Sequence, residues 1–78
     1  MKCFVIAEEV KVKALNVIGV QGIVAGSPDD VRKAVGDVLS DKSIGTLLIS
    51  GNVQSLASDI LEAHRSRAVL PVVILLDD

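Results

Sequence analysis

The sequence predicts an α/β domain in which four parallel strands alternate with three helices. Two observations carry this prediction. Four short apolar runs lie between turn-forming residues, and the stretches between these runs place their apolar residues at helical spacing. The central run, residues 44–50, has four apolar residues out of seven and no charge. Apolar residues at consecutive positions are typical of a strand that is covered on both faces of a parallel sheet.

Length and composition set the limits of the interpretation. The chain has 78 residues, which suffices for one domain, residues 1–78. Its net charge is −2 and its only aromatic residue is Phe4, whereas a nucleic-acid-binding protein needs a basic face and stacking aromatics. The longest apolar run, residues 68–76, is shorter than the ~20 residues of a membrane-spanning helix. No signal-peptide pattern opens the chain, so we expect a cytoplasmic protein.

The first strand and the first helix are predicted at the N-terminus. Residues 3–7 are apolar on both faces, and the acidic pair after them ends the strand at the solvent. The single cysteine, Cys3, lies in this strand without a partner for a disulfide or a metal site. The next residues place an apolar stripe on a helix that stops at Gly19. The predicted stripe consists of Val10, Ala14, Val17 and Ile18, with Leu15 beside it.

The second strand is predicted at residues 20–25 and leads into the strongest local signal of the chain. Ser27 is suited to cap a helix, Pro28 suits its first position, and the two aspartates that follow suit the positive end of the helix dipole. The helix continues with apolar residues at an unbroken i, i+3, i+4, i+7, i+8 spacing. These residues are Val31, Ala34, Val35, Val38 and Leu39.

The third helix and the last strand follow the central strand. Asn52 is the predicted cap of the helix. The apolar positions repeat the same helical spacing and are Val53, Leu56, Ala57, Ile60 and Leu61, followed by His64. Residues 70–76 form the last predicted strand, and Pro71 is tolerated at its start.

This order of elements predicts a small three-layer, flavodoxin-like domain with strand order 2-1-3-4 and right-handed crossovers. The first helix then lies on one face of the sheet, and the second and third helices lie on the other. One helix cannot cover four strands, yet the strands are apolar on both faces. We therefore expect part of one face to be exposed or covered by another molecule. An exposed apolar patch of that kind marks a protein interface.

In such folds ligands bind beyond the carboxyl ends of the strands. A phosphate-binding loop there would need a glycine-rich turn after the first strand, but Glu8 and Glu9 occupy that turn and would repel phosphate. A phosphate-accepting receiver domain needs an aspartate after the third strand, where this chain has Ser50. The acidic pair at residues 77–78 is expected at the same edge. The sequence thus predicts no catalytic residue, no cofactor and no metal.

The single histidine, His64, lies on the apolar side of the third predicted helix. It has no second histidine or cysteine nearby in the sequence, so a metal site is not indicated. A partly buried or interfacial histidine is the favoured interpretation over a general base.

Three stretches of the sequence resemble the F subunit of the rotary V/A-type ATPases. Residues 3–7, followed by an acidic turn and a helix closing at Gly19, are similar to the opening of that family. Residues 41–49 resemble its third strand, which begins Ile-Gly, and residues 70–74 resemble its last strand, entered through a proline. The family's first helix commonly reads Gly-Phe-x-Leu-x-Gly, where residues 14–19 here read Ala-Leu-Asn-Val-Ile-Gly. Family members usually continue into a C-terminal helical segment, so this chain is expected to be a truncated or short form.

The resemblance implies a non-catalytic subunit of the central stalk, or rotor. Such a protein docks on the coiled coil of the D subunit, on the cytoplasmic side of a membrane-bound ATPase. It contributes to the coupling of ATP hydrolysis or synthesis with ion transport, and the ATP sites lie on other subunits. The residues predicted to contact the partner are Leu15, Leu75 and Leu76. An incompletely covered sheet fits this role, since a rotor protein must grip a helical shaft through apolar contacts.

Two other hypotheses remain open at this point. The first is a stand-alone flavodoxin-like domain that binds a small molecule or phosphate, for which the neutral donors at the strand ends are Ser27, Ser50 and Asn52. The second is self-association of the isolated domain through its exposed face.

Overall fold

The computed structural model describes residues 1–76, which form a four-stranded parallel sheet and four helices. The predicted pair Asp77 and Asp78 lies outside the described residues. In chain order the elements are β1 (Lys2–Ala7), α1 (Glu9–Val17), β2 (Gln21–Val24), α2 (Pro28–Leu39), β3 (Ile44–Ile49), α3 (Gly51–Leu56), α4 (Ser58–Ser66) and β4 (Val72–Leu75).

The strand order is β2-β1-β3-β4, and all three strand pairs are parallel. This confirms the flavodoxin-like order predicted from the alternation of strands and helices. The strands β1 and β3 are central, whereas β2 and β4 are the edges. Neighbouring residues of β1 show which helices lie on which face, because successive side chains of a strand point to opposite sides. Val5 packs with Val12 of α1, and Ile6 packs with residues of α2, α3 and α4.

Helix α2 begins and packs as its sequence predicts. The Oγ atom of Ser27 accepts a hydrogen bond from the backbone N–H of Asp30 at 3.2 Å, and Pro28 is the first helical residue. Val31, Val35 and Val38 are buried at the predicted spacing. The local capping signal and the apolar stripe therefore agree, and α2 is the most strongly amphipathic helix of the sequence.

The predicted apolar stripe of α1 is wrong. Val10, Val17 and Ile18 are 79%, 85% and 74% exposed, and the residue that α1 buries is Val12, with Leu15 half-buried beside it. Apolar residues occupy more than one side of this short helix, so their spacing alone does not select the buried side. Packing against the sheet makes that choice, and it leaves the larger apolar set in solvent.

The single third helix of the prediction is two helices, α3 and α4, separated at Ala57. The backbone of Ala57 has φ −126° and ψ 26°, outside the helical region. The cap of α3 is Ser50 and not Asn52, since the Ser50 Oγ atom accepts from the N–H of Val53 at 3.4 Å. The break leaves the carbonyl oxygen of Leu56 without a helical hydrogen bond, and the Arg32 guanidinium of α2 donates to this oxygen at 3.2 Å.

The two faces of the sheet differ in the size of their cores. The face under α2, α3 and α4 has ten buried apolar residues, and the face under α1 has three, namely Val5, Ala7 and Val12. We refer to them as the covered face and the α1 face. Within residues 1–76, no helix combines the length and the apolar character that crossing a membrane requires.

Candidate interaction surface

The α1 face becomes progressively more exposed from the centre of the sheet towards β4. Strand pairing aligns Val5 of β1 with Leu48 of β3, and Leu48 with Ile74 of β4, so the three side chains form a row on this face. Val5 is fully buried, Leu48 is half-buried, and Ile74 is 46% exposed. Helix α1 packs mainly on β1 and β2, which explains why the row is covered at one end only.

The uncovered part of this face spans β3 and β4 and is mainly apolar, with Thr46 of β3 also on it. Val72, which pairs with Thr46, is 53% exposed on the same side as Ile74. Leu15 of α1 and Leu76 pack at the margin of the small α1-side core. Together with Lys11 and Ala14, they line a shallow depression of about 200 Å³. We call this surface the open α1 face, and its residues are Leu15, Leu48, Val72, Ile74 and Leu76.

The three residues predicted to contact a partner do not lie on one side of the sheet. Leu15 and Leu76 meet on the α1 face. Leu75 pairs with Ile49, which belongs to the core of the covered face, so Leu75 points to that opposite side and is 48% exposed. Val72 and Ile74 were missed by the sequence analysis. Alternation along the last apolar run pairs them on one side and could have identified them.

A polar cluster at the carboxyl ends of β1 and β3 borders the open α1 face. The Ser50 hydroxyl, which is fully buried, donates to Oε2 of Glu8 at 2.7 Å, and Lys11 Nζ lies 3.3 Å from Oε1. The pKa of Glu8 is lowered, first by the hydrogen bond from Ser50 and then by Lys11, although partial burial opposes the shift. The cluster joins the start of α1 to the start of α3.

This geometry bears on the hypothesis of a phosphate site. The Ser50 hydroxyl proton is committed to Glu8, and the Ser27 hydroxyl oxygen serves as a helix cap. The ionised carboxylate of Glu8 lies where an anion would have to approach. Of the three neutral donors named for that hypothesis, Ser50 thus has its hydroxyl proton committed within the chain, and Ser27 has its hydroxyl oxygen engaged as an acceptor.

His64 is buried and 6% exposed, as the sequence analysis favoured. Its Nε2 atom lies 2.7 Å from the carbonyl oxygen of Pro71, which joins the end of α4 to the start of β4. Cys3 is a free, half-buried thiol in β1. Within residues 1–76, no cluster of three or more His, Cys, Asp or Glu side chains could hold a metal ion.

Comparison with known proteins gives the fold and the family. The F subunit of the V-type ATP synthase from Archaeoglobus fulgidus has the same fold, with a TM-score of 0.84 at 17% sequence identity. The superposition covers 97% of this chain and 96% of that one. No curated protein sequence matches the chain significantly. The family model of the ATP synthase (F/14-kDa) subunit matches residues 3–78, which agrees with the resemblance seen in the sequence. The chain therefore belongs to the family of the ATP synthase (F/14-kDa) subunit, whose members are parts of rotary ATPases.

Proposed function

We propose that this chain is a non-catalytic rotor subunit in the central stalk of a V/A-type ATPase and that it docks on the coiled coil of the D subunit. Family membership supports the assignment to a rotary ATPase. The observation that carries the docking proposal is the open α1 face, where Val72 and Ile74 are about half exposed on a mainly apolar surface. In this proposal residues 1–78 act as one domain.

The shape of this surface supports a helical partner. A three-layer α/β domain covers each face of its sheet with helices, but α1 covers only the half formed by β1 and β2. A helix laid beside α1 would cover Leu48, Val72 and Ile74 and would complete the missing part of that layer. Each helix of a coiled coil carries an apolar stripe of the required kind.

The predicted contact residues take different places in this arrangement. Leu15 and Leu76 line the boundary between α1 and the uncovered strands, so both would contact the docked helix. Leu75 points to the other face, and it would contact the partner only where the coiled coil passes around the free edge of β4.

The protein would act without chemistry of its own. At the carboxyl ends of β1 and β3, Ser50 donates to Glu8 and its oxygen also caps α3, so these two side chains are engaged within the chain. Its contribution to coupling would be mechanical: it holds the rotor together while ATP is hydrolysed or made on other subunits. It would lie on the cytoplasmic side, attached to the membrane only through the complex.

Binding to the coiled coil of the D subunit, taken from the same source, tests the proposal. We expect the wild-type chain to co-elute with it in size-exclusion chromatography with light scattering. Ile74→Asp places a charge in the contact and should weaken binding by about tenfold or more, because burying an unpaired carboxylate costs more than about 1.4 kcal/mol. Leu75→Asp is the matched control, since the two residues are adjacent and are 46% and 48% exposed.

Three results would contradict the proposal. The first is equal binding by the Ile74→Asp variant and the wild type. The second is a dimer of the isolated chain that excludes the coiled coil. The third is a thermal shift with phosphate or a nucleotide in the absence of any binding to the coiled coil, which would support the small-molecule hypothesis.

A further inference from the structure

The cations of the chain fall into two groups. Lys11, Lys13, Arg32 and Lys33 each form an ion pair with a carboxylate at 2.8 to 3.6 Å. The remaining four, Lys2, Lys42, Arg65 and Arg67, are in none of the ion pairs found within the described residues. Lys2 is the first residue of β1, and Lys42 and Arg67 precede β3 and β4, so these three cations lie towards the amino-terminal edge of the sheet.

Two of these cations line one depression. Lys42 and Arg67 lie on the wall of a concavity of about 340 Å³, together with Ser40 and the buried His64. This concavity continues into a groove of about 490 Å³ between α2 and α4, because Ser40, His64 and Arg67 border both. We call the joined depression the basic trough. It lies at the opposite edge of the sheet from the Glu8–Ser50 cluster.

The rim of the basic trough is apolar and uncovered. Val69 and Leu70, which line it, are 47% and 49% exposed in the segment between α4 and β4. Leu39 and Ile60 border the trough from α2 and α4 and are only partly buried. Two cations without an ion pair in residues 1–76 thus adjoin aliphatic side chains that this part of the chain leaves uncovered.

Helix ends alone do not explain this arrangement. Lys42 follows the end of α2 and Arg67 caps the end of α4, where a cation is favoured by the helix dipole. That effect accounts for one cation at each helix end. It does not account for the exposed Val69 and Leu70 between them, since solvent-exposed aliphatic side chains gain nothing from a dipole.

Two carboxylates close to the basic trough, Asp59 in its lining and Asp41 next to Lys42 in the sequence, already have hydrogen-bond partners. Asp59, on its far wall, is held by Arg32 through two hydrogen bonds of 2.8 and 3.0 Å. Asp41, beside Lys42 in the sequence, accepts hydrogen bonds from the N–H and the hydroxyl of Ser43. Both carboxylates thus have partners other than Lys42 and Arg67.

We propose that the basic trough docks an acidic segment of a partner protein that carries both carboxylates and aliphatic side chains. The carboxylates would pair with Lys42 and Arg67, and the aliphatic side chains would cover Val69 and Leu70. A polyanion such as a nucleic acid fits less well, because the chain has a net charge of −2 and a single aromatic residue. This second surface adjoins the open α1 face, because Val72 lines a concavity of about 400 Å³ together with His64, Val69 and Leu70. Lys42 and Arg67 do not line that concavity, and the proposal does not depend on docking to the D subunit.

Fluorescence anisotropy with a designed peptide tests the inference on the full chain. The probe is a fluorescein-labelled helical peptide with Glu and Leu on one face, compared with versions in which every Glu is Gln or every Leu is Ser. We expect the Glu/Leu peptide to bind more tightly than both versions and to weaken as NaCl is raised. The double variant Lys42→Glu/Arg67→Glu should lose about tenfold in affinity, since two attractive pairs become repulsive.

The control is Lys13→Glu/Lys33→Glu, which changes the net charge by the same amount at two exposed cations outside the basic trough. We expect its affinity to stay within about twofold of the wild type. Circular dichroism of both double variants checks that they are folded.

Equal weakening by the two double variants would overturn the inference, because it would show a general effect of net charge. Loss of binding in Ile74→Asp would overturn it as well, since the peptide would then occupy the open α1 face. Equally tight binding of a single-stranded oligonucleotide or of anionic phosphatidylglycerol vesicles, lost in the same trough variant, would assign the surface to a different class of partner.

Discussion

The two faces of the sheet belong to the same four strands but differ in how many apolar residues they bury. The core between the covered face and its three helices contains ten buried apolar residues, and the core between the α1 face and α1 contains three. On the edge strand β4, Val73 packs against the core of the covered face, while its neighbours Val72 and Ile74 remain about half exposed. Apolar burial is thus concentrated on one face, and part of the other face stays exposed.

The α1 face itself is not uniform. At Gly22 of β2 it is closely packed, since a Cβ atom there would overlap the Val5 side chain and carbonyl, whereas Val24 at the end of the same strand is 46% exposed. Near β4 it is open, as Ile74 shows. The α1 face is therefore closely packed beside β1 and exposed at both edge strands, and the following changes compare packed with exposed positions.

The largest effect is expected in the core of the covered face. Leu47 is fully buried in β3, so Leu47→Ala should lower the free energy of unfolding by about 2–5 kcal/mol. Ile74→Ala, on the open α1 face, should cost about 1 kcal/mol or less because the side chain is half exposed. Urea denaturation measures both. Equal losses in the two variants would show that the faces share the stabilisation.

A smaller effect is expected where β2 approaches β1. Gly22→Ala forces the new methyl group into Val5, and we expect a loss of about 1–3 kcal/mol. Gly36→Ala is the matched control, because its methyl group meets nothing within 4 Å in the middle of α2. That change should stabilise the chain by about 0.5–1 kcal/mol. A Gly22→Ala variant as stable as the wild type would contradict the close packing beside β1.

The Ser50 cluster connects the two faces at the carboxyl edge. Ser50→Ala removes both the cap of α3 and the hydrogen bond to Glu8, and it should cost about 1–2 kcal/mol at neutral pH. The pKa of Glu8 is lower in the folded chain than its ordinary value of 4.5, chiefly because of Ser50. The ionised Glu8 carboxylate therefore stabilises the folded chain above about pH 4.5, and this stabilisation is lost as the pH falls through the folded-state pKa of Glu8.

Urea denaturation of the wild type and of Ser50→Ala, repeated across this pH range, measures how the stabilisation by Glu8 depends on pH. The gap in stability between the two should narrow on acidification. A gap that widens towards acid pH would mean that Glu8 is not stabilised by Ser50 in its charged form.

The smallest effect on stability is expected at the ion pair that joins α2 to α4 on the covered face. The Arg32 guanidinium holds the pKa of Asp59 down to about 2, mainly through its hydrogen bonds. In Arg32→Gln the pKa of Asp59 should return towards its ordinary value of 3.8, which a carboxyl-carbon NMR titration measures. The free energy of unfolding should change less than in the variants above, because the Arg32 and Asp59 side chains are 41% and 68% exposed, although the hydrogen bond from Arg32 to the carbonyl of Leu56 is disturbed as well. An unchanged pKa would show that the pair does not persist in solution.

The sequence was sufficient for the parts of the fold in which local and tertiary signals agree. The apolar runs gave all four strands and their order, and the Ser27–Pro28 start of α2 was located correctly. The prediction of the buried side of α1 was wrong, because a short helix with apolar residues on several sides has no single stripe to bury. The single predicted helix was also wrong at Ala57, where the chain leaves the helical conformation and the carbonyl of Leu56 accepts a hydrogen bond from Arg32, a residue distant in the sequence.

The candidate surface was predictable as a face but not as a set of residues. Counting helices on each side of the sheet showed that one face would be incompletely covered. Which strand stays open depends on where α1 lies across the sheet, and this positioning is not encoded in any local pattern. For that reason Leu75 was assigned to the surface while Val72 and Ile74 were missed.

Hydrogen exchange of the chain, alone and bound to the coiled coil of the D subunit, tests the central claim most directly. We expect binding to slow the exchange of backbone amide hydrogens in β4 and along α1, where the docked helix would exclude water from the open α1 face. Exchange in α2 and α4 should stay the same. Protection confined to α2 and α4, with β4 unchanged, would place the partner on the covered face and would contradict the account.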